Sequence, residues 1–555
     1  MTTVQNLVVI GIDGVSYRRL LQYSEDGKLP TFAKIIAEGA SGPLESTIIP
    51  TSPIAWSASF SGKNPAKTGM YGFFTKSKDS YSWSAVSALN RMSRDVWEVA
   101  SDSGRRSIVV GFPFTHPVRP FNGVLVGGSF TPDFSRCVYP PEMTDYIIGE
   151  LGYTICPPRV TAEEICHSIA KRFSIGRRLL KEQSWDLFML GFEQIEMVHH
   201  FIMLQNPDEM EECYRLFDAE LGRFLDTLPK EACVLIYSDH GNVYYPKAFH
   251  LSDWLIQKGY LKLRPGVELR RLKKEQFRYE LSSIREKNPQ AMRFLAMAGL
   301  YLMGRIAKRY FRFLKGILPS LSLPARATPR HFGRRDGLST SPFYDFARSR
   351  AYPDITAAAN YGGLYVNLEG RDAQGTVRAG PEYESLREEL RKELLAIRDP
   401  ATGQQVVTSV WKKEELFNGP YLDEIYDLVL ETAEEYHVLL TDQWLYGKAI
   451  KPYHHSSHER DGVLLAWGPV ISHEPALRTS ILNIAPTILQ LLGCPIPNDY
   501  DGTVVEELLS TEFLERFPIQ YAPSSDETSM LETPEYSPDE LQAIEKRLME
   551  LGYLE

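Results

Sequence analysis

The sequence predicts an α/β protein built on a mostly parallel β-sheet with helices on both faces. Short apolar runs at 107–111, 123–127 and 186–192 alternate with helical stretches such as 31–39. This alternation is typical of β-α-β units, because parallel neighbours need a crossover between them. The length of 555 residues exceeds one ordinary hydrophobic core, so we expect several lobes or one large domain with insertions.

The composition is that of a globular protein, with 43% hydrophobic and 24% charged residues. The net charge of −10 argues against general binding to nucleic acid, so no nucleic-acid polymer is expected as a partner. Six cysteines without a CxxC motif favour reduced thiols over a disulfide framework or a thiolate metal site.

The first residues lack the basic and long apolar regions of a secretory signal, so we expect a cytoplasmic protein. No uninterrupted apolar stretch reaches the roughly 18 residues of a membrane-spanning helix. Bases and aromatic residues interleave at helical spacing in 293–315. This pattern predicts either peripheral contact with an anionic membrane surface or a helix packed on the main body.

Changes in residue pattern along the chain predict five segments. Strand-like runs vanish where arginine and lysine become frequent, and they return at 362–368 before a charged helix at 382–397. Residues 537–540 form a helix start with proline at the first helical position. The segments are the first part of a metal-binding α/β core at 1–261, a basic helical insertion or lid at 262–345, a smaller α/β lobe at 346–450, a return to the core at 451–517, and a polar tail with a terminal helix at 518–555.

Carboxylates and imidazoles border three of the apolar runs. Asp13 follows the first run, Asp239 and His240 follow the run that begins at 234, and His458 shortly precedes another. Ligands of open α/β sheets bind at the carboxyl ends of the strands, and oxygen and nitrogen donors suit a pair of zinc-like ions. Any one of these fragments taken alone is more often an ordinary turn, but together they indicate a two-metal hydrolase site.

Glu196 and His200 form a further candidate pair. On a helix, residues four apart share a face, so this pair could hold one ion, whereas His199 is expected to point elsewhere. The alternative is a solvated Glu-His pair without a ligand.

The candidate nucleophile is Ser52 or Thr51, which precede Pro53 and an apolar stretch that reads as a helix. Free N–H groups at the start of such a helix would face a phosphate, and coordination to a divalent ion activates an alcohol. Hydroxyl residues before proline are also ordinary helix caps, so capping and catalysis both stay open for this motif.

The ordered set of motifs resembles the type I phosphodiesterase/nucleotide pyrophosphatase group of the alkaline phosphatase superfamily. The resemblance covers most of residues 5–510 and implies an alkaline-phosphatase-like fold. The matching motifs are Asp13, Thr51-Ser52-Pro53 with Ala55-Trp56, Gly62-Lys63-Asn64-Pro65, Glu196-x-x-x-His200, Asp239-His240-Gly241, His458-x-x-Asp461-Gly462, and Gly468-Pro469.

The resemblance also implies two divalent metal ions, Zn with Mn or Mg as alternatives, and it assigns their ligands. Spacing to Trp56 and Gly62 places Ser52 in the register of the nucleophile, with Thr51 in reserve. One implied ligand set is Asp13, Asp239, His240 and the nucleophile, and the other is Glu196, His200 and His458.

The sequence departs from the family pattern at two positions. Glu196 stands where the family usually has aspartate, so the position of this ligand and the metal preference are in question. Thr68 replaces a frequent histidine.

The implied activity is cleavage of phosphodiester or pyrophosphate bonds by a metal-activated Ser or Thr. The expected substrate is a small phosphoester such as a nucleotide or nucleotide-sugar. A phosphomonoesterase or a phosphoglycerate-mutase-like phosphotransferase is the nearest alternative. A weakly active relative that binds a phosphorylated ligand or a membrane surface is a second alternative.

Overall fold

The computed structural model describes residues 4, 6–77, 79–131, 134–157, 159–265, 338–339, 344–355, 359–439, 448–524, 540 and 544. The β-strands in these ranges are β1 Leu7–Ile12, β2 Ala40–Glu45, β3 Phe74–Lys76, β4 Ser82–Ala85, β5 Ser107–Val110, β6 Gly123–Val126, β7 Val138–Tyr139, β8 Leu187–Phe192, β9 Cys233–Tyr237, β10 Gly241–His250, β11 Leu338–Ser339, β12 Ala351–Pro353, β13 Tyr361–Val366, β14 Val407–Lys412, β15 Leu428–Thr432, β16 Tyr436–Leu439, β17 Ile450–Glu459, β18 Asp461–Trp467, β19 Thr479–Ser480, β20 Ile496–Pro497 and β21 Tyr521–Ala522.

The α-helices in the same ranges are α1 Tyr17–Glu25, α2 Pro30–Glu38, α3 Ser52–Ser61, α4 Pro65–Thr68, α5 Val96–Asp102, α6 Ala162–Glu182, α7 Gln194–Phe201, α8 Pro207–Leu225, α9 Leu251–Lys258, α10 Pro381–Leu395, α11 Lys413–Leu416, α12 Ile484–Leu492 and α13 Thr511–Arg516. Shorter helical turns are Ala88–Asn90, Phe134–Arg136, Pro141–Met143, Asp145–Glu150, Phe346–Arg348, Ile481–Asn483 and Glu506–Leu508.

A nine-stranded sheet forms the centre of the fold, in the order β19-β2-β18-β9-β1-β8-β5-β6-β7. The five strands from β9 to β6 in this order are mutually parallel, whereas β18 runs antiparallel to both of its neighbours. The predicted mostly parallel sheet is therefore confirmed.

Helices cover both faces of this sheet. Alternate residues of β1 belong to different hydrophobic clusters, with Val8 and Ile10 in one and Leu7 and Val9 in the other. This division follows from the two-residue period of a strand. Helices α1, α2, α6 and α8 contribute to the first cluster, and α5, α12 and most of α3 contribute to the second.

The strand register aligns the edge where ligands bind. Ile12 at the end of β1 pairs with Phe192 at the end of β8, and Gly11 pairs with Tyr237 at the end of β9. The loops after these three strands consequently begin side by side.

Two smaller sheets complete the part of the fold that bears on function. Strands β12, β13, β15 and β14 form an antiparallel sheet, against which α10 lies. Strands β16, β10 and β17 form a second sheet, in which Asn242 pairs with His458 across the antiparallel β10–β17 ladder. The predicted strand at 362–368 and helix at 382–397 correspond to β13 and α10, which end two residues earlier.

The division of the chain into the five segments stays a prediction, since separate sheets do not by themselves define separate domains. The basic segment 293–315, most of the insertion 262–345 and the helix start at 537–540 lie outside the described residues, apart from residue 540. None of the described helices combines the length and hydropathy that a bilayer crossing requires.

Candidate metal centre

The turns after β1 and β9 are joined by hydrogen bonds. The Gly14 N–H donates to Asp239 Oδ1 at 3.2 Å, and the Val15 N–H donates to Ser238 Oγ at 2.8 Å. Gly14 has a φ of +74°, a backbone conformation that glycine adopts without steric cost. These contacts bring the carboxylates of Asp13 and Asp239 to one point at the sheet edge.

The first turn of α3 lies against this point. Ser52 is the first residue of the helix, and its Oγ is 3.3 Å from His240 Nε2. The indole N–H of Trp56, one turn later, donates to Asp13 Oδ2 at 3.2 Å. Thr51 is the N-cap residue, but its Oγ1 has no hydrogen-bond partner among the described residues. Ser52 is thus the hydroxyl that faces His240.

Asp13, Asp239 and His240 form the first candidate ligand group. His240 Nε2 lies 3.5 Å from Asp13 Oδ1 and 3.2 Å from Asp239 Oδ2. His240 Nδ1 donates to the carbonyl oxygen of Gly241 at 3.0 Å, which leaves Nε2 without a proton in the neutral ring. Asp13 Oδ1 and Asp239 Oδ2 accept no hydrogen bond within the described chain.

Glu196, His200 and His458 lie beside the first group. Glu196 Oε1 is 2.7 Å from His200 Nε2 and 3.1 Å from His458 Nε2. His458 Nδ1 donates to the Pro50 carbonyl oxygen at 2.8 Å, so its Nε2 is also available as a ligand. The rings of His240 and His458 stack with their centroids 3.8 Å apart, and this contact joins the two groups into one site.

His199 contacts the oxygen of Glu196 that does not face His200 and His458. Its Nδ1 lies 3.3 Å from Glu196 Oε2. Residues three apart also share a helix face at 3.6 residues per turn, and the sequence argument considered only the four-residue spacing. Thr68 lies apart from these contacts: its hydroxyl donates to the Pro65 carbonyl oxygen and accepts the Met70 N–H.

Burial and mutual repulsion set the electrostatics of the site. Burial raises the pKa of Asp13, and the nearby carboxylates of Asp239 and Glu196 raise it further. Burial and Glu196 likewise raise the pKa of Asp239 well above its usual range. Burial would also raise the pKa of Glu196, but His200 and the other adjoining histidines hold it well below its usual range. Three buried carboxylates in one small site create a demand for positive charge.

The donor set fits divalent cations. The oxygens Asp13 Oδ1, Asp239 Oδ2 and Glu196 Oε1 are buried and accept no hydrogen bond in the described part of the chain. Mixed carboxylate and imidazole donors are the ligands that Zn²⁺ and Mn²⁺ accept readily. Two overlapping triads have ligand atoms within 4.8 Å of one another, namely Asp13, Asp239 and His240, and Glu196, His240 and His458.

Several supporting residues were missed by the sequence analysis. Glu193 accepts hydrogen bonds from the N–H and hydroxyl of Ser129, and both residues line a small cavity of about 10 Å³ with Asp13 and Glu196. Gly14 leaves room for Glu196, because a Cβ at this position would lie 1.8 Å from Glu196 Oε2. The glycine directly after Asp13 was the one local signal for such a close approach.

A much larger cavity lies elsewhere in the molecule. It has a volume of about 880 Å³ between β3–β4 and the β12–β15 sheet, and none of the eight candidate site residues lines it. The candidate metal centre therefore rests on donor chemistry and not on cavity size.

A sequence profile of the type I phosphodiesterase/nucleotide pyrophosphatase family matches residues 7–311. The chain belongs to this family. The matched range contains seven of the eight candidate site residues, and only His458 lies beyond it. Membership indicates a phosphoester hydrolase.

Solved structures share the fold. Phosphonoacetate hydrolase from Sinorhizobium meliloti 1021, in complex with phosphonoformate, aligns over 89% of this chain and 96% of its own, with a TM-score of 0.55 and 16% identity. Human ectonucleotide pyrophosphatase/phosphodiesterase 5 aligns over 91% of this chain and 100% of its own, with a TM-score of 0.49 and 13% identity. The family match and the alignment with phosphonoacetate hydrolase confirm the predicted alkaline-phosphatase-like fold. No curated protein sequence matches the chain significantly.

Proposed function

We propose that the protein is a two-metal hydrolase that cleaves phosphodiester or pyrophosphate bonds with Ser52 as the nucleophile. The observation that carries this proposal is the convergence of three carboxylate oxygens without hydrogen bonds on imidazole Nε2 atoms, beside Ser52 Oγ. One ion would be held by Asp13, Ser52, Asp239 and His240, and the other by Glu196, His200 and His458.

The cations would neutralise charge on the phosphoryl oxygens and lower the pKa of the serine hydroxyl. Ser52 Oγ would attack phosphorus, so that the Oγ–P bond forms, the bond to the leaving alcohol or nucleotide breaks, and the hydroxyl proton passes to solvent or to the leaving oxygen. Water would then attack the same phosphorus and break the Oγ–P bond, which releases the remaining phosphorylated part of the substrate and returns a proton to Ser52 Oγ. The N–H groups of the first turn of α3 would face the phosphoryl oxygens, and the Trp56 hydrogen bond would keep Asp13 in place.

The proposed substrate is a small phosphoester such as a nucleotide or nucleotide-sugar, and the proposed metal is Zn²⁺. The mixed nitrogen and oxygen donors support Zn²⁺ or Mn²⁺ over Mg²⁺, which prefers an all-oxygen shell. A phosphomonoesterase is the alternative, because the same metal ligands serve substrates with one or two ester arms.

The experiment compares hydrolysis of a bis-aryl phosphate with that of a mono-aryl phosphate by metal-free protein reconstituted with Zn²⁺, Mn²⁺ or Mg²⁺. We expect faster turnover of the diester. Ser52→Ala should reduce kcat by on the order of 1,000-fold or more, whereas Thr51→Val should retain most activity. Preference for the monoester would favour the alternative, and full activity of Ser52→Ala would exclude the proposed nucleophile.

A further inference from the structure

The carboxylate of Glu196 divides its two oxygens between different partners. Oε1 faces His200 Nε2 and His458 Nε2 within the candidate metal centre. Oε2 lies on the other side, 3.3 Å from His199 Nδ1. His199 is fully buried and lies on the same helix, α7.

The partners of His199 determine where its proton lies. Its Nε2 is 3.1 Å from Arg19 Nη1, and a guanidinium can donate hydrogen bonds but cannot accept them. His199 Nε2 must therefore be the acceptor, and the proton of the neutral ring lies on Nδ1. The Nδ1–H accordingly donates to Glu196 Oε2.

Tyr214 from α8 completes the chain of contacts. Its hydroxyl lies 2.8 Å from His199 Nε2, so the ring is held from two further helices, α1 and α8. Gly14 also lies against Glu196 Oε2, since any Cβ there would collide with this oxygen. The orientation of this carboxylate is therefore fixed from two directions.

A glutamate at a metal position has one more rotatable bond than an aspartate, and holding it in a single geometry costs conformational entropy. A hydrogen bond to the oxygen that does not face the metal removes this freedom before the metal arrives. It also leaves one oxygen, Oε1, for coordination. Hydrogen bonds of this kind to metal ligands typically change metal affinity by 10- to 100-fold.

We propose that His199 is a positioning residue that adapts the longer side chain of Glu196 to a metal site. Arg19 sets the tautomer of His199, the Nδ1–H holds Glu196 Oε2, and Oε1 is presented to the cation. This inference rests on the proposed two-metal function and concerns one of its two ligand sets.

The test measures Zn²⁺ affinity of the full chain by competition with a chromophoric chelator, with kcat and KM recorded in parallel. His199→Leu removes the donor, and we expect the affinity for one of the two Zn²⁺ ions to fall by about 10- to 100-fold. His199→Asn keeps an N–H donor near the position of Nδ1 and should restore most of the affinity. His167→Leu, which replaces an exposed histidine of α6, is the matched control and should bind as the wild type does.

A double-mutant comparison separates positioning from general structural damage. In a Glu196→Asp background the shorter carboxylate no longer reaches His199, so His199→Leu should change Zn²⁺ affinity by less than threefold there. An equal loss in both backgrounds, or wild-type affinity in His199→Leu, would overturn the inference. If His199→Leu does not fold, His199→Asn is compared with Arg19→Met, which removes the residue that sets the tautomer of His199. The inference is overturned if His199→Asn does not bind the two ions more tightly than Arg19→Met does. A wild-type chain that binds no Zn²⁺ at all would instead overturn the proposed function.

Discussion

Two buried acidic clusters in this molecule have carboxylate pKa values shifted in opposite directions. In the β12–β15 sheet, Asp427 lies 2.7 Å from the Arg371 guanidinium and accepts the Val366 N–H at 2.7 Å. Burial would raise the pKa of Asp427, but Arg371 holds it below its usual range. At the edge of the central sheet, Asp13 and Asp239 are equally buried, and this burial raises their pKa values. The neighbouring carboxylates raise these pKa values further.

The difference distinguishes structural from functional burial of charge. A carboxylate that is paired with an arginine has its charge neutralised within the fold, and removing that carboxylate leaves the arginine as an uncompensated cation. Carboxylates gathered without a cation cost stability and persist only where something else uses them. The comparison therefore marks the central-sheet cluster as the better candidate for binding an external cation.

The largest expected effect comes from Asp239→Asn. The substitution removes a proposed metal ligand and should lower kcat/KM for the aryl diester by on the order of 1,000-fold. The metal-free variant should unfold at the same temperature as the wild type or a higher one, because the substitution relieves repulsion with Asp13 and Glu196. Diester kinetics and calorimetry of the chelated protein measure both outcomes. A strongly destabilised metal-free variant would mean that Asp239 is structural.

Asp427→Asn should have the reverse profile. Loss of the buried ion pair should lower the free energy of unfolding by about 3 kcal/mol, because Arg371 loses one of the two carboxylates that it contacts and keeps Asp372. Zinc affinity should be unchanged. Urea unfolding of the chelated protein gives the first quantity and chelator competition gives the second. An unchanged stability would show that the two clusters do not differ as argued.

Metal removal tests the demand for a cation directly. Saturating Zn²⁺ at about 100 times its dissociation constant should stabilise the fold by about 2.7 kcal/mol per site. Thermal melts with and without a chelator measure the shift, and Asp13→Asn should reduce it. A melting temperature that does not respond to any divalent ion would contradict the proposed site.

The smallest effect concerns Asp399, whose cation is also supplied by the chain. Hydrogen bonds from Lys247 and Tyr436 lower the pKa of Asp399 to about 2. A carboxylate with a depressed folded-state pKa contributes stability above its unfolded pKa of about 3.9, and this contribution is lost as the pH falls toward 2. In metal-free protein, Lys247→Met should thus lose less stability than the wild type between about pH 5 and about pH 3. Urea unfolding of the wild type and of Lys247→Met at both pH values measures the two losses of stability. Equal losses would contradict this expectation.

Local patterns in the sequence were sufficient to predict the central sheet and the edge that carries the site. Apolar runs of four to six residues gave strands, and their ends placed Asp13 and Asp239 together because parallel strands finish at one edge. The four-residue spacing of Glu196 and His200 predicted a shared helix face, which α7 has. These features depend on residues close together in the chain or on a general rule of sheet topology.

Other features arose only when distant segments packed together. The β10–β17 ladder, which places His458 opposite Asn242, joins segments more than 200 residues apart and was not predicted. Arg19 and Tyr214 reach His199 from two other helices, and no local period encodes which helix surfaces meet. The sequence by itself determined the chemistry available at the sheet edge. Tertiary packing decided that Glu196 Oε2 faces His199 while Oε1 faces His200 and His458, because this arrangement depends on contacts made after the helices have assembled.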